Sequence, residues 1–191
     1  MDDMQLPAPP LPAACNTRGV GDFSLKVLRR SALDRIMDDT AFRAAFNLLQ
    51  VAWHQDDAAA SLPDDDVALA AWARLGHGKL ALRRWLKMRD EALKGWIKCA
   101  DGRLYEPNLA AEAFDLWTRK LCQQARQALK WNDAAAIARV RQNLEDAHAA
   151  VPRHSNTKAL ARRWLDKLDP NLARRVAAGR AALRALAGGR Q

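Results

Sequence analysis

The chain has 191 residues, 49% of them hydrophobic, and a net charge of +9. This composition excludes global disorder, and no apolar run reaches the roughly twenty residues of a membrane-spanning helix. The charge is one-sided: residues 1–100 hold fourteen Lys/Arg against thirteen Asp/Glu, whereas residues 150–191 hold ten against two. Such a concentration favours a polyanionic partner.

The opening Met1-Asp2-Asp3 and the four prolines before residue 20 are unlike a secretory signal, so a cytoplasmic protein is expected. Residues 1–22 read as a flexible, Pro-rich lead-in. Phe23–Val27 fits either a short strand or an arm packed on the body. The first strongly periodic helix is predicted from Thr40, as its cap, to about His54, with Phe42, Phe46, Leu49 and Trp53 on one face. A short strand follows at Ala60–Leu62. A second helix follows "SLPDDD" and ends at Gly76. A third runs from Lys79 to about Leu93, with Leu82, Trp85, Leu86, Met88 and Leu93 turned inward.

"WIKCADGRLYEP", Trp96 to Pro107, breaks the helical pattern. Asp101-Gly102 between two short runs predicts a β-hairpin, because Asp and Gly tolerate the backbone angles of a tight turn. The strand near Leu62 is expected to pair with this hairpin, and Trp96, Ile97, Leu104 and Tyr105 to fix it to the body. Pro107 suits the first turn of a long fourth helix reaching Trp131. Asn132-Asp133 breaks the chain, and helices are predicted over 134–149, 157–168 and 170–187. The expected fold is mainly α: a winged-helix-like domain at 23–131, with three helices and a hairpin wing, followed by a basic helical extension at 132–191.

Cys15, Cys99 and Cys122 are widely spaced, and His54, His77, His148 and His154 are scattered. Neither set has metal-ligand spacing, and no metal or cofactor is expected. Asp64-Asp65-Asp66 could in principle hold Mg²⁺. Asp64 as a helix cap, with Asp65 and Asp66 in the first turn, explains the triplet more simply. No second acidic cluster or partnered histidine accompanies it, so no enzymatic activity is expected. Trp53-His54 reads as a core indole followed by a polar helix end. Trp131 and Trp164 fit either base stacking or contact with a partner.

Three basic sets are candidates for nucleic-acid contact. Lys79, Arg83 and Lys87 stack at intervals of four on the third helix, with Arg84 beside them. In helix-turn-helix proteins that helix enters the major groove. Asp90 and Glu91 follow it and oppose a phosphate backbone. Arg103, near the wing tip, could touch a phosphate or pair with Glu106. The third set is the tail: Arg162, Arg163 and Lys167, then Arg174, Arg175, Arg180 and Arg184. The tail's mostly Ala apolar side favours phosphate contacts over membrane insertion.

"AFNLLQVAWHQDDAAASLPDDD" followed by "KGWIKCADGRLYEP" resembles the YdaU-like family of phage and prophage proteins. The likeness covers Leu11 to Gln127 and is strongest at Trp53-His54, Ser61–Asp66 and Asp101–Pro107. It implies a role near replication initiation and no catalytic residues. The expected function is a DNA-binding accessory protein acting on duplex rather than single-stranded DNA, with a replication or host protein as a further partner. The alternative is an adaptor or inhibitor acting on a helicase loader, a helicase or a host defence complex.

Overall fold

Helix caps and turn residues set most of the element boundaries in the structure, a computed structural model that describes residues 6–55, 58–150 and 155–168. These residues form seven α-helices, one short 3₁₀ turn and a three-stranded antiparallel sheet. They fall into two compact units divided between Trp117 and Thr118.

In the first unit, α1 spans Leu25–Arg30, and a 3₁₀ turn follows at Ala32–Arg35. The open choice at Phe23–Val27 thus resolves as an aromatic contact leading into a helix: Phe23 meets Trp53 edge-on, with centroids 5.7 Å apart. Helix α2 is Asp39–Trp53. Its cap is Asp38, not Thr40; the Asp38 carboxylate accepts from the Ala41 N–H at 2.7 Å. Its buried side is an alanine stripe, Ala41, Ala44, Ala45 and Ala52, interleaved with Leu48 and Leu49. Small side chains let neighbouring helices approach, so Phe42, which shares the adjacent stripe, is left 43% exposed.

Strand β1 is Ser61–Pro63 and α3 is Asp66–Trp72. The Asp65 carboxylate caps α3 by accepting from the Val67 N–H at 2.9 Å, one residue later than the sequence suggested. Helix α3 also stops short of Gly76, because Arg74 turns the backbone left-handed (φ 58°). Helix α4 is Gly78–Ala92. Ala81, Trp85, Ala92 and Leu93 are buried, Leu82 and Met88 are half-buried, and Leu86 is 55% exposed, contrary to expectation.

The hairpin forms around Asp101-Gly102, with β2 at Ile97–Lys98 and β3 at Arg103–Tyr105. Strand β3 lies in the middle: Leu104 faces Leu62 of β1 on one side and Lys98 of β2 on the other. Gly102 takes φ +76°, and the Asp101 carboxylate closes the turn by accepting from the Arg103 N–H at 3.1 Å and the Tyr105 hydroxyl at 2.7 Å. Leu104 and Tyr105 are buried, whereas Ile97 is 43% exposed. Of the expected anchors, those of the central strand reach the core.

The chain leaves α4 through Gly95 at φ +86°, where an added Cβ would lie 3.1 Å from Ala32 Cβ. Gly95→Ala combines backbone strain with that close approach. It is expected to destabilise the unit by about 1–2 kcal/mol, measured as a lower urea midpoint at unchanged slope. An unchanged midpoint would show that the turn adapts.

Residues 6–24 contain no helix or strand but touch the body at several points. The Ala100 N–H donates to the Pro7 carbonyl at 2.8 Å, beside the hairpin turn. The Trp53 indole donates to the Gly21 carbonyl at 2.9 Å, and the Thr17 hydroxyl donates to the Trp53 carbonyl.

Helix α5, Pro107–Trp131, gives its first half to the first unit. Glu106 starts it, its carboxylate accepting from the Leu109 N–H at 2.6 Å. The second unit holds the rest of α5, then α6 (Ala134–Ala149) and α7 (Ser155–Leu168). Asn132 (φ 50°) makes the turn, and the Asp133 carboxylate caps α6 at the Ala136 N–H, 3.0 Å away. Val140, Leu144 and Ala147 of α6 and Ala161, Trp164 and Leu168 of α7 are buried. The helix expected at 170–187 lies outside the described residues.

Candidate nucleic-acid interface

Helix α4 separates its cations into two groups. Lys79, Arg83, Arg84 and Lys87 are exposed, and none makes a side-chain hydrogen bond or ion pair with another described residue. Their spacing places them on the side away from Trp85, which is fully buried. Leu80 (60% exposed) and Leu86 (55% exposed) share that solvent side. Asp90 is exposed at its C-terminal end, and Glu91 lies 3.5 Å from Lys94.

The other cations are internally neutralised. Arg89 donates from Nε to Asp66 at 2.7 Å and from a terminal nitrogen to Asp64 at 2.6 Å. Lys98 of β2 reaches Asp64 at 2.8 Å. The Trp85 indole also donates to Asp66, at 2.7 Å. Lys98 and Arg89 hold the Asp64 carboxyl below its ordinary 3.8, against a partial burial that pulls the other way. The Asp64-Asp65-Asp66 triplet therefore serves three separate tasks: pairing cations, capping α3, and gripping Trp85 and Arg89. Asp64 is not the cap. These pairings cross between elements and carry no local sequence signal.

Arg103 is half-buried; its Nε donates to Ser61 Oγ at 2.7 Å. Glu106 is not its partner but is occupied at the start of α5, where Asn108 also donates to it at 3.0 Å. Burial pushes the Glu106 carboxyl above its ordinary range, and the donors from Asn108 and Leu109 offset part of that shift. His54 lies 3.5 Å from Asp22 at the rim of a surface cavity of about 300 Å³, while Trp53 beside it is fully buried.

In the second unit Arg162 pairs with Asp166 at 3.3 Å, Lys167 lies over the Trp164 ring at 4.5 Å, and Arg163 is exposed. Arg174, Arg175, Arg180 and Arg184 lie outside the described residues. Arg126, Lys130 and Arg139, which no motif in the sequence marks, are also exposed here. Charge counted by unit rather than by stretch points to them. The first unit, 1–117, holds fifteen Lys/Arg against seventeen Asp/Glu, a net of −2. The second, 118–191, holds sixteen against five, a net of +11.

No family model, curated protein or solved structure matches the chain. The site therefore rests on its own chemistry. Among the described residues no helix is long and apolar enough to cross a membrane.

Proposed function

We propose that the protein is a non-enzymatic DNA-binding accessory factor of phage or prophage type, acting in the cytoplasm at replication initiation. The observation that carries this reading is the partition of charge, with the whole positive excess of the chain in residues 118–191. A segment of that density releases condensed counterions when it meets a duplex, which supplies affinity without sequence preference. Helix α4 is the candidate for groove contact. It follows α3 across a short turn, precedes the hairpin, and presents four cations with no partner among the described residues, an arrangement that suits a winged helix. Leu80 and Leu86 on the same side could meet thymine methyl groups. The replication setting is carried only by the resemblance to YdaU-like proteins read from "AFNLLQVAWHQDDAAASLPDDD" and "KGWIKCADGRLYEP" together.

The test is a titration of labelled duplex DNA at two salt concentrations. Arg174→Ala with Arg175→Ala is expected to weaken binding about equally for all sequences. It should also reduce the salt slope by about 1 for each phosphate no longer neutralised. Arg83→Ala with Lys87→Ala is expected to change the ranking among sequences. Binding by the parent chain that is absent at low salt, or insensitive to salt, would refute the DNA reading.

One observation favours the alternative, an adaptor or inhibitor of a replication or host protein. The α4 surface combines exposed leucines with cations on a unit whose net charge is −2. A stoichiometric protein partner that co-purifies free of nucleic acid, and no longer does so after Leu86→Glu, would select it.

A further inference from the structure

All but one of the seven tryptophans are buried or half-buried; Trp131, the last residue of α5, is 74% exposed. The largest apolar side chain thus stands in water at the end of a long helix. The left-handed Asn132 and the Asp133 cap follow it immediately and hold the backbone beside it. The Lys130 ammonium lies 5.1 Å from its ring centroid. A cation on one face of an exposed indole leaves the other face available to a flat partner.

Helical spacing adds to this. Gln124 and Gln127 fall seven and four residues before Trp131, on the same stripe, and both are exposed. Arg126 lies four residues before Lys130 and is also exposed. An aromatic platform and flanking cations are the two chemistries used to hold unpaired bases and their phosphates, and the exposed amides beside them can donate and accept hydrogen bonds. The unit bearing them has a net charge of +11, so the polyanion is also the partner that its field attracts.

We infer that Trp131 is a stacking platform for an unpaired base, and that the second unit takes single-stranded nucleic acid along the Gln124–Trp131 face of α5. This rests on the DNA-binding reading and extends it from duplex to strand-separated substrate. Lys130 supplies the phosphate contact next to the stacked base.

The experiment uses the full chain, an oligo(dT) strand and a duplex of equal length. Oligo(dT) is expected to quench the iodide-accessible part of the tryptophan emission. Trp131→Ala should bind oligo(dT) about 5- to 100-fold more weakly, while duplex affinity stays within about twofold. Trp131→Phe should keep most of the strand affinity, because stacking survives. Since the side chain is exposed, far-ultraviolet circular dichroism should show both variants folded.

Unchanged oligo(dT) affinity in Trp131→Ala overturns the inference. Equal weakening on strand and duplex also overturns it, by making Trp131 a general contact, but leaves the DNA reading standing. A protein partner that no longer binds Trp131→Ala, with strand affinity intact, reassigns the face to protein contact. Failure of the parent to bind either DNA at low salt removes the underlying reading as well.

Discussion

Trp53→Ala is expected to cost the first unit about 3–5 kcal/mol, the range for truncating a large buried aromatic. The side chain is fully buried and meets Phe23 edge-on at 5.7 Å. It also holds the lead-in, because its indole donates to the Gly21 carbonyl and its own carbonyl accepts from Thr17. Truncation therefore opens a cavity and releases the segment around residues 17–23 together. Urea unfolding should show a lower midpoint, and trypsin should cut at Arg18 before elsewhere. Trp53→Phe separates the two effects: it retains most of the packing and removes one hydrogen bond, a cost of about 1 kcal/mol for the bond itself. A Trp53→Ala protein as stable as its parent, with Arg18 still resistant, would contradict this account of the lead-in.

Asp66→Ala should cost about 2–3 kcal/mol, because it leaves the buried Trp85 N–H and one Arg89 donor without an acceptor. Asp66→Asn keeps a neutral oxygen for Trp85 and should cost less. Acid titration adds two limbs of opposite sign. Asp64 titrates below its ordinary 3.8 when folded. Its contribution is complete above that value and is lost as pH falls through the lowered folded value. Glu106 titrates above its ordinary 4.5 when folded. The native state then holds the extra proton, so stability declines as pH rises from 4.5 through the raised value. Stability measured across this range should lose its lower limb in Asp64→Asn and its upper limb in Glu106→Gln. A pH profile unchanged by either substitution would show that these carboxyls do not govern acid stability.

The elements legible in the sequence were those with local signals. Asp101-Gly102 marks the hairpin, Pro107 the start of α5, and Asn132-Asp133 the break before α6, because each position needs a backbone geometry that few residues provide. The pairing of the Leu62 strand with the hairpin followed from the need to cover an edge. What stayed hidden was non-local. Helix α2 buries Leu49 and Trp53 of the expected face, but an alanine stripe beside it takes the rest of the contact and leaves Phe42 exposed, a shift that periodicity alone does not mark. The fates of Asp64, Asp66, Arg89 and Lys98 depend on α3, α4 and β2 meeting. Burial of Cys15 and Thr17 depends on the lead-in crossing the body. Spacing placed the α4 cations on one exposed side, but only the division into units revealed how completely the charge is segregated.

The order β1-β3-β2 leaves two outer strands, and each is guarded. Strand β1 ends in Pro63, which has no N–H to offer an incoming chain, and β2 is two residues long and carries Lys98. A sheet blunted this way makes a poor template for growth into fibrils or strand-exchanged aggregates. The chain is thereby protected at its small patch of β-structure.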